Sequence, residues 1–386
     1  MSSTLRVPVY RDVLDWAIKH GEKSLDFLNK KYYLNKWKNP DSESDNPTLK
    51  QLQSFSNDTK IPFHYFLSSK IPYEENSFVK YRTVNNNQVI PSRRLIETIH
   101  MMESRQEWMR DYLTSQNKEY KFKYSRYIEP ESKVSDISLS ISHLLDFENL
   151  INNSKQDNDF YKNLKEKISS LGIMIMQNGC VGSNTKRPLD PEEFRAFALY
   201  DDVIPLIFID TKDSYKAKIF SLLHELLHVF LNDNEILNVK DDGGIEKERW
   251  INSITIEILI PYSKIPPIGK DAKKDIIKIA KLRHTSIVAT TIRLNNLNIF
   301  PQNSKDSLIS WAKEEQAKGL ELKKSSAGGG NYYKTLKSRV DPHFAMAVIS
   351  SESTGNLSIN TASSMLGSSV KNYSKTVNEL IGGEVN

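Results

Sequence analysis

The chain has 386 residues, 53 basic and 48 acidic side chains, a formal net charge of +5 and one cysteine, Cys180. That length suits two or three domains with a sizeable core, and the charge permits nucleic-acid contact without arguing for it. A lone thiol excludes an intrachain disulfide framework. With no apolar leader and no run of about 18 apolar residues, a soluble cytoplasmic protein without membrane partners is expected.

Residues 1–70 read as a module of short helices. An amphipathic helix over 9–20 is followed by one over 25–31, for which Ser24 is the N-cap. A polar loop over 39–46 precedes a helix over 49–56 and a last turn over 64–67. The segment carries 11 basic and 8 acidic residues, a weak footprint for phosphate contact. Too few residues lie between the second helix and Trp37 for a turn plus a recognition helix. A packing module is therefore favoured over a DNA reader. Residues 71–139 form a helical connector dominated by a helix over 93–114. Its methionines and aromatics recur at helical spacing and belong to a core.

Residues 140–302 carry the chemistry. Helices are expected over 141–149 and 159–171, and strands over 172–176, 193–198 and 204–210. Pro205 marks the last of these as an edge strand or a strand start. Asp213-Ser214 then caps a helix over 215–232. Within it lies His224-Glu225-Leu226-Leu227-His228, the HExxH pattern. Histidines four apart on a helix project from one face and can converge on one metal ion, zinc by preference. Glu225 sits beside them, where a general base belongs. The rest of that helix is apolar, and burying two imidazoles and a carboxylate in it is costly unless they are paired or coordinating.

The third ligand should come from another element. A turn over 241–244 leads into a helix over 246–260, which ends at Pro261. Glu248, Asn252 and Thr255 make a polar stripe on it at i, i+4 and i+7. Glu248 is assigned as the third ligand, with Glu246, Asp241 and Asp242 as competitors. Cys180 reads as a bland buried thiol. Arg195, Tyr200 and His284 are candidates by type for a second oxyanion donor. Strand 204–210 would offer an open edge to an extended substrate.

Residues 303–386 form a C-terminal helical module. Helices are expected over 304–322, 332–350, 358–366 and 370–380, with a flexible link over 325–331. The fold class is thus α+β. A zincin-like domain with a small antiparallel or mixed sheet is flanked by all-α modules.

Three runs resemble the ImmA/IrrE metallo-endopeptidases of bacteria and their mobile elements: FSLLHELLH at Phe220 to His228, ERWIN with LIP from Glu248 to Pro261, and FRAF at Phe194 to Phe197. The resemblance spans about 150 residues. It implies zinc held by His224, His228 and Glu248, with Glu225 as catalytic base, and it leaves Asn252 and Arg195 as supporting or substrate-contacting residues. The run from Trp37 to Phe66 resembles an Xre-type helix-turn-helix. The resemblance also implies a protein substrate, such as a helix-turn-helix repressor or antitoxin, and a prophage or mobile-element setting. The competing expectation is a toxin or regulatory binding module whose metal site serves partner or DNA binding.

Overall fold

A computed structural model describes residues 5–72, 80–81, 91–130, 132–232, 242–324 and 332–382. Helices predominate, and they surround one small mixed sheet. Its strands are β1 (Lys80–Tyr81), β2 (Met174–Asn178), β3 (Ala196–Leu199) and β4 (Leu206–Asp210), in spatial order β1-β3-β4-β2. β3 runs antiparallel to both neighbours, and β2 pairs parallel to β4 with Met174 opposite Leu206.

The sheet has two buried faces, and the period of two along each strand decides what each face meets. Ile175, Ile207 and Ile209 point into one core, shared with the HExxH helix (Tyr215–Phe230) and the helix that follows it (Asp242–Leu259). Met174, Met176, Leu206 and Phe208 point into a second core. There they meet the long helix (Arg93–Gln116) and the C-terminal helices. Every residue of β4 is buried, as expected for a strand covered on both sides. The N-terminal helices close on a third core of their own around Trp37, Phe55 and Phe66. Glu22 joins them to the rest through Arg94 at 2.9 Å and Arg187 at 2.7 Å.

Local signals are borne out at many element ends. Ser24 caps Leu25–Lys31, Thr48 and Gln51 form a capping box for Leu49–Thr59, and Ser214 accepts from the Ala217 amide. Leu366 is followed by Gly367 in the left-handed conformation at φ 72°. The piece between the second helix and Asn39 is indeed only Leu34–Lys38, and its Leu34 and Trp37 are buried.

Other expectations are corrected. The helix read over 332–350 breaks at Val340, because Asp341 caps a new helix, Pro342–Ser353, with proline at its first position. In place of the two helices read over 141–149 and 159–171 there are three, Val134–Leu145, Phe147–Asn152 and Asp157–Ser169. Gly243 and Gly244 lie inside Asp242–Leu259 rather than in a turn, and Asp241 lies outside the described residues. The link over 325–331 also lies outside them. β4 is not an edge strand: Pro205 marks its start, and β3 and β2 flank it. The outer edge of β2 is occupied too, since the Ile175 amide donates to Asp341 Oδ2 at 3.2 Å. An open edge for a substrate strand is therefore not found at 204–210. Among the described residues no helix is long and apolar enough to cross a membrane.

Candidate metal centre

The HExxH helix lies against the sheet, and its residues from Ser221 to Phe230 are buried without interruption. Its neighbour Asp242–Leu259 buries Ile251, Ile254 and Ile258 on one side. That side fixes the rotation of the helix and leaves Glu248 and Asn252 on another stripe. The Trp250 indole N–H donates to the Ser132 carbonyl at 3.2 Å, tying the helix to the connector. Across the gap, three side chains able to ligate a metal converge. His224 Nε2 and His228 Nε2 are 3.2 Å apart. Glu248 places Oε2 3.2 Å from His224 Nε2 and Oε1 3.1 Å from His228 Nε2.

The two nitrogens and the carboxylate thus form a triangle of side chains whose separations are close to those between ligands in a tetrahedral shell. Ligand bonds of roughly 2.0–2.1 Å at tetrahedral angles put ligand atoms about 3.3–3.4 Å apart. Three mutual contacts between two imidazole nitrogens and a carboxylate can never all be hydrogen bonds, because there are too few protons to share. Two nitrogens and an anionic oxygen suit a divalent ion. Among the described residues this is the only such cluster of histidine, cysteine and acidic side chains. Cys180 is buried elsewhere, against Asn178 and Gly182.

Electrostatics agree with that use. Burial alone would raise the Glu248 pKa, but the His224 and His228 imidazoles more than reverse it and hold the carboxyl well below the usual range. Glu248 is therefore an anion at any working pH. His224 and Glu225 are each only 2% exposed. Glu225 follows His224 on the buried helix and is not one of the three converging ligands.

The remaining candidates are placed as follows. Asn252 stands one turn beyond Glu248, with its side-chain Oδ1 buried and no hydrogen-bond partner among the described residues. Arg195 forms an ion pair with Asp213 at 3.1 Å, not aligned as a hydrogen bond. Asp213 precedes His224 by eleven residues, about 16 Å of helix, so Arg195 is engaged away from the cluster. Tyr200 donates to Asp202 at 2.7 Å, and His284 sits at φ 52° in a turn with Nδ1 2.9 Å from Asp157. Each of these three is engaged by a carboxylate that is not a member of the cluster. Glu246, a competitor for the third position, is exposed.

One support went unread in the sequence. Tyr200, Ser125 and Asn232 form a hydrogen-bonded chain past the end of the HExxH helix, with links of 2.8 and 3.4 Å. Burial, with Asp202 beside it, pushes the Tyr200 hydroxyl up to about 12, so it stays a donor. The only sequence signal was a cluster of tyrosines in the connector.

Residues 169–295 match the family model of Peptidase_M78, the IrrE N-terminal-like domain. The chain carries an IrrE N-terminal-like domain. The matched segment contains the sheet strands β2 to β4, both helices of the metal cluster and all three ligand residues. The resemblance read from FRAF, the HExxH run and ERWIN is thus shown, and the domain is of a metallopeptidase family. The match does not reach residues 1–70. No curated protein and no solved structure compared with the chain matches it.

Proposed function

We propose that this protein is a zinc-dependent endopeptidase of the ImmA/IrrE type that cuts a partner protein inside the cell. The observation that carries this reading is the closure of His224, His228 and Glu248 on one point beside Glu225. His224, His228 and Glu248 would hold the ion, and zinc there would supply Lewis acidity for activating water and polarising a peptide carbonyl.

The chain's own residues supply the rest. Glu225, buried in an apolar helix, takes a proton from the attacking water at its carboxylate and returns it to the departing amine. The apolar surroundings of the cluster strengthen each charge interaction made inside it. Asn252, with its buried carbonyl oxygen unsatisfied, is placed to steady a neighbouring donor. The substrate class is a folded or partly folded protein, with a helix-turn-helix repressor or an antitoxin as the favoured kind.

The alternative is a toxin or regulatory binding module that uses the metal only to hold its shape. A shape-holding site has no use for a buried carboxylate beside two ligands, and Glu225 is one. Co-expression with the product of the neighbouring gene, followed by mass spectrometry, separates the two. Cleavage by the wild type and none by Glu225→Gln is expected. Full biological effect from Glu225→Gln with zinc bound and the partner uncut would sink the peptidase reading.

A further inference from the structure

A cavity of about 230 Å³ lies on the face of the sheet away from the HExxH helix, where the long helix Arg93–Gln116, the start of β2 and the helix Pro342–Ser353 meet. No residue of the metal cluster lines it. Its wall is largely apolar: Met109, Met174 and Ile204 are buried there, and Leu113 is half-buried. Ser169 and Asp341, 5% and 2% exposed, line it too, and His343 stands exposed beside them. The Tyr120 hydroxyl lies at Gly172, 3.8 Å from where a Cβ would stand on that residue, and both residues line the cavity. Close-packed interiors hold few spaces larger than a water molecule, which sets this one apart.

The polar groups of the cavity divide into spent and unspent. Asp341 Oδ1 accepts from the His343 and Phe344 amides at 2.9 and 3.3 Å, and Oδ2 from Ser169 Oγ and the Ile175 amide at 2.7 and 3.2 Å. A carboxylate has about four lone-pair sites, so this one is saturated. The single proton of Ser169 goes to Asp341, which leaves its Oγ to accept from His343 Nδ1 at 3.2 Å. Ser169 and His343 are therefore not a nucleophile and its base. The Ser170 hydroxyl donates to Lys167 O at 2.6 Å. Two groups remain, each without a hydrogen-bond partner among the described residues: His343 Nε2 and the Tyr120 hydroxyl. The adjacent Asp341 carboxylate holds the imidazole above its ordinary 6.5, which favours a proton on Nε2 as well. The cavity thus offers donors against an apolar wall, and an ammonium group would find no unspent carboxylate in it.

We propose that this cavity is a binding site for a small carboxylic acid with a ring or branched apolar body, its carboxylate held by His343 Nε2 and the Tyr120 hydroxyl. A cavity of about 150 Å³ is enough for benzene, so this one has room for a body of that size and a small head group. Met109, Leu113 and Met174 would cover the body, and the charged head would stay on the side of the exposed His343. Met174 belongs to β2 and His343 to the helix Pro342–Ser353, so a bound acid would tie the C-terminal helices to the sheet of the IrrE N-terminal-like domain.

The test is titration of the full-length protein with sodium benzoate and with sodium isocaproate, followed by calorimetry and by the NMR signals of isotope-labelled methionine methyl groups. Saturable binding of at least one acid is expected. The Met109 and Met174 signals should move, while that of Met101, about 12 Å along the same helix from Met109, stays in place. Sodium acetate, a head without a body, and benzyl alcohol, a body without a charge, are each expected to bind about tenfold more weakly or worse. Leu113→Trp fills the cavity and is expected to abolish saturation. His343→Gln is expected to weaken binding about tenfold and Tyr120→Phe about threefold, the usual worth of a charge-assisted and of a neutral hydrogen bond. The proposal is overturned if neither acid saturates, or if binding leaves the Met109 and Met174 signals unmoved. It is overturned as well by acetate or benzyl alcohol binding as tightly as the acids, or by unchanged affinity in both His343→Gln and Tyr120→Phe. Those two variants carry the test if Leu113→Trp fails to fold.

Discussion

At the scale of single residues, the chemistry rests on a division of labour between neighbours on one helix. His224 and His228 turn the same way because they are one turn apart, and Glu248 meets them from a second helix. Glu225 stands outside the triangle. Ligand loss and base loss are therefore separable. Glu248→Ala is expected to lower zinc affinity by about 100-fold or more and to abolish cleavage with it. Glu225→Gln is expected to keep one zinc per chain and lose only cleavage, as judged by elemental analysis of the purified variants. Zinc lost equally from both would contradict this assignment. The histidine pair was legible in the sequence because its spacing is local. Glu248 was legible only through its polar stripe and the ERWIN run. Arg195, Tyr200 and His284 were named by type alone, and each is held by a carboxylate: Asp213, Asp202 or Asp157. Tyr200 and Asp202 are close in sequence, but their Ser125 partner is 75 residues away.

At the scale of elements, caps and strand periods set what the site can be. Ser214 accepts from the Ala217 amide and starts the HExxH helix at a defined point after β4. A shift of one residue there would rotate both histidines off their face by about 100°. Ser214→Ala is expected to cost about 1 kcal/mol, measured by urea unfolding, without altering zinc stoichiometry. No change in the midpoint would mean that packing alone sets the helix start. The strand pattern was readable from isoleucine-rich runs, but the place of β4 in the sheet was not. An early proline suits a strand start and an edge equally well, and only the pairing of β4 with both β2 and β3 distinguishes them. The break before Pro342 was readable in principle: an aspartate before a proline is a helix start. Apolar periodicity on both sides hid it.

At the scale of the whole molecule, the sheet is held between two cores, and the C-terminal helices complete one of them. Asp341 is the latch. It caps Pro342–Ser353, accepts from Ser169 Oγ at 2.7 Å, and takes the Ile175 amide at the edge of β2. His343 stands 3.6 Å from it, and Lys165 adds a further positive charge nearby. Burial would raise the Asp341 pKa, but the neighbouring His343 side chain and hydrogen bonds from Ser169 and the Ile175 amide outweigh it and leave it below its ordinary 3.8. Its contribution is present above that value and is lost as pH falls through the lowered pKa. The adjacent Asp341 carboxylate raises His343 above its ordinary 6.5, so its contribution is complete below 6.5 and is lost as pH rises past the raised value. Hydrogen exchange of helix Pro342–Ser353 is therefore expected to be slowest between about pH 4 and 6.5, after correction for intrinsic rates, and His343→Ala is expected to flatten the alkaline side. A profile unchanged by His343→Ala would remove His343 from the latch.

Taken alone, the sequence determined the helical character, many of the caps, the HExxH pair and the family resemblance of its domain. Those depend on neighbours within one or two turns, and such neighbours are written side by side in the chain. Only the tertiary structure decided that β4 is interior, that β2 is edged by Asp341, and which carboxylates capture Arg187, Arg283 and Arg293. These outcomes depend on residues brought together from beyond the reach of one or two turns, as far as Ile175 and Asp341, where burial and pairing, rather than local spacing, select the contact.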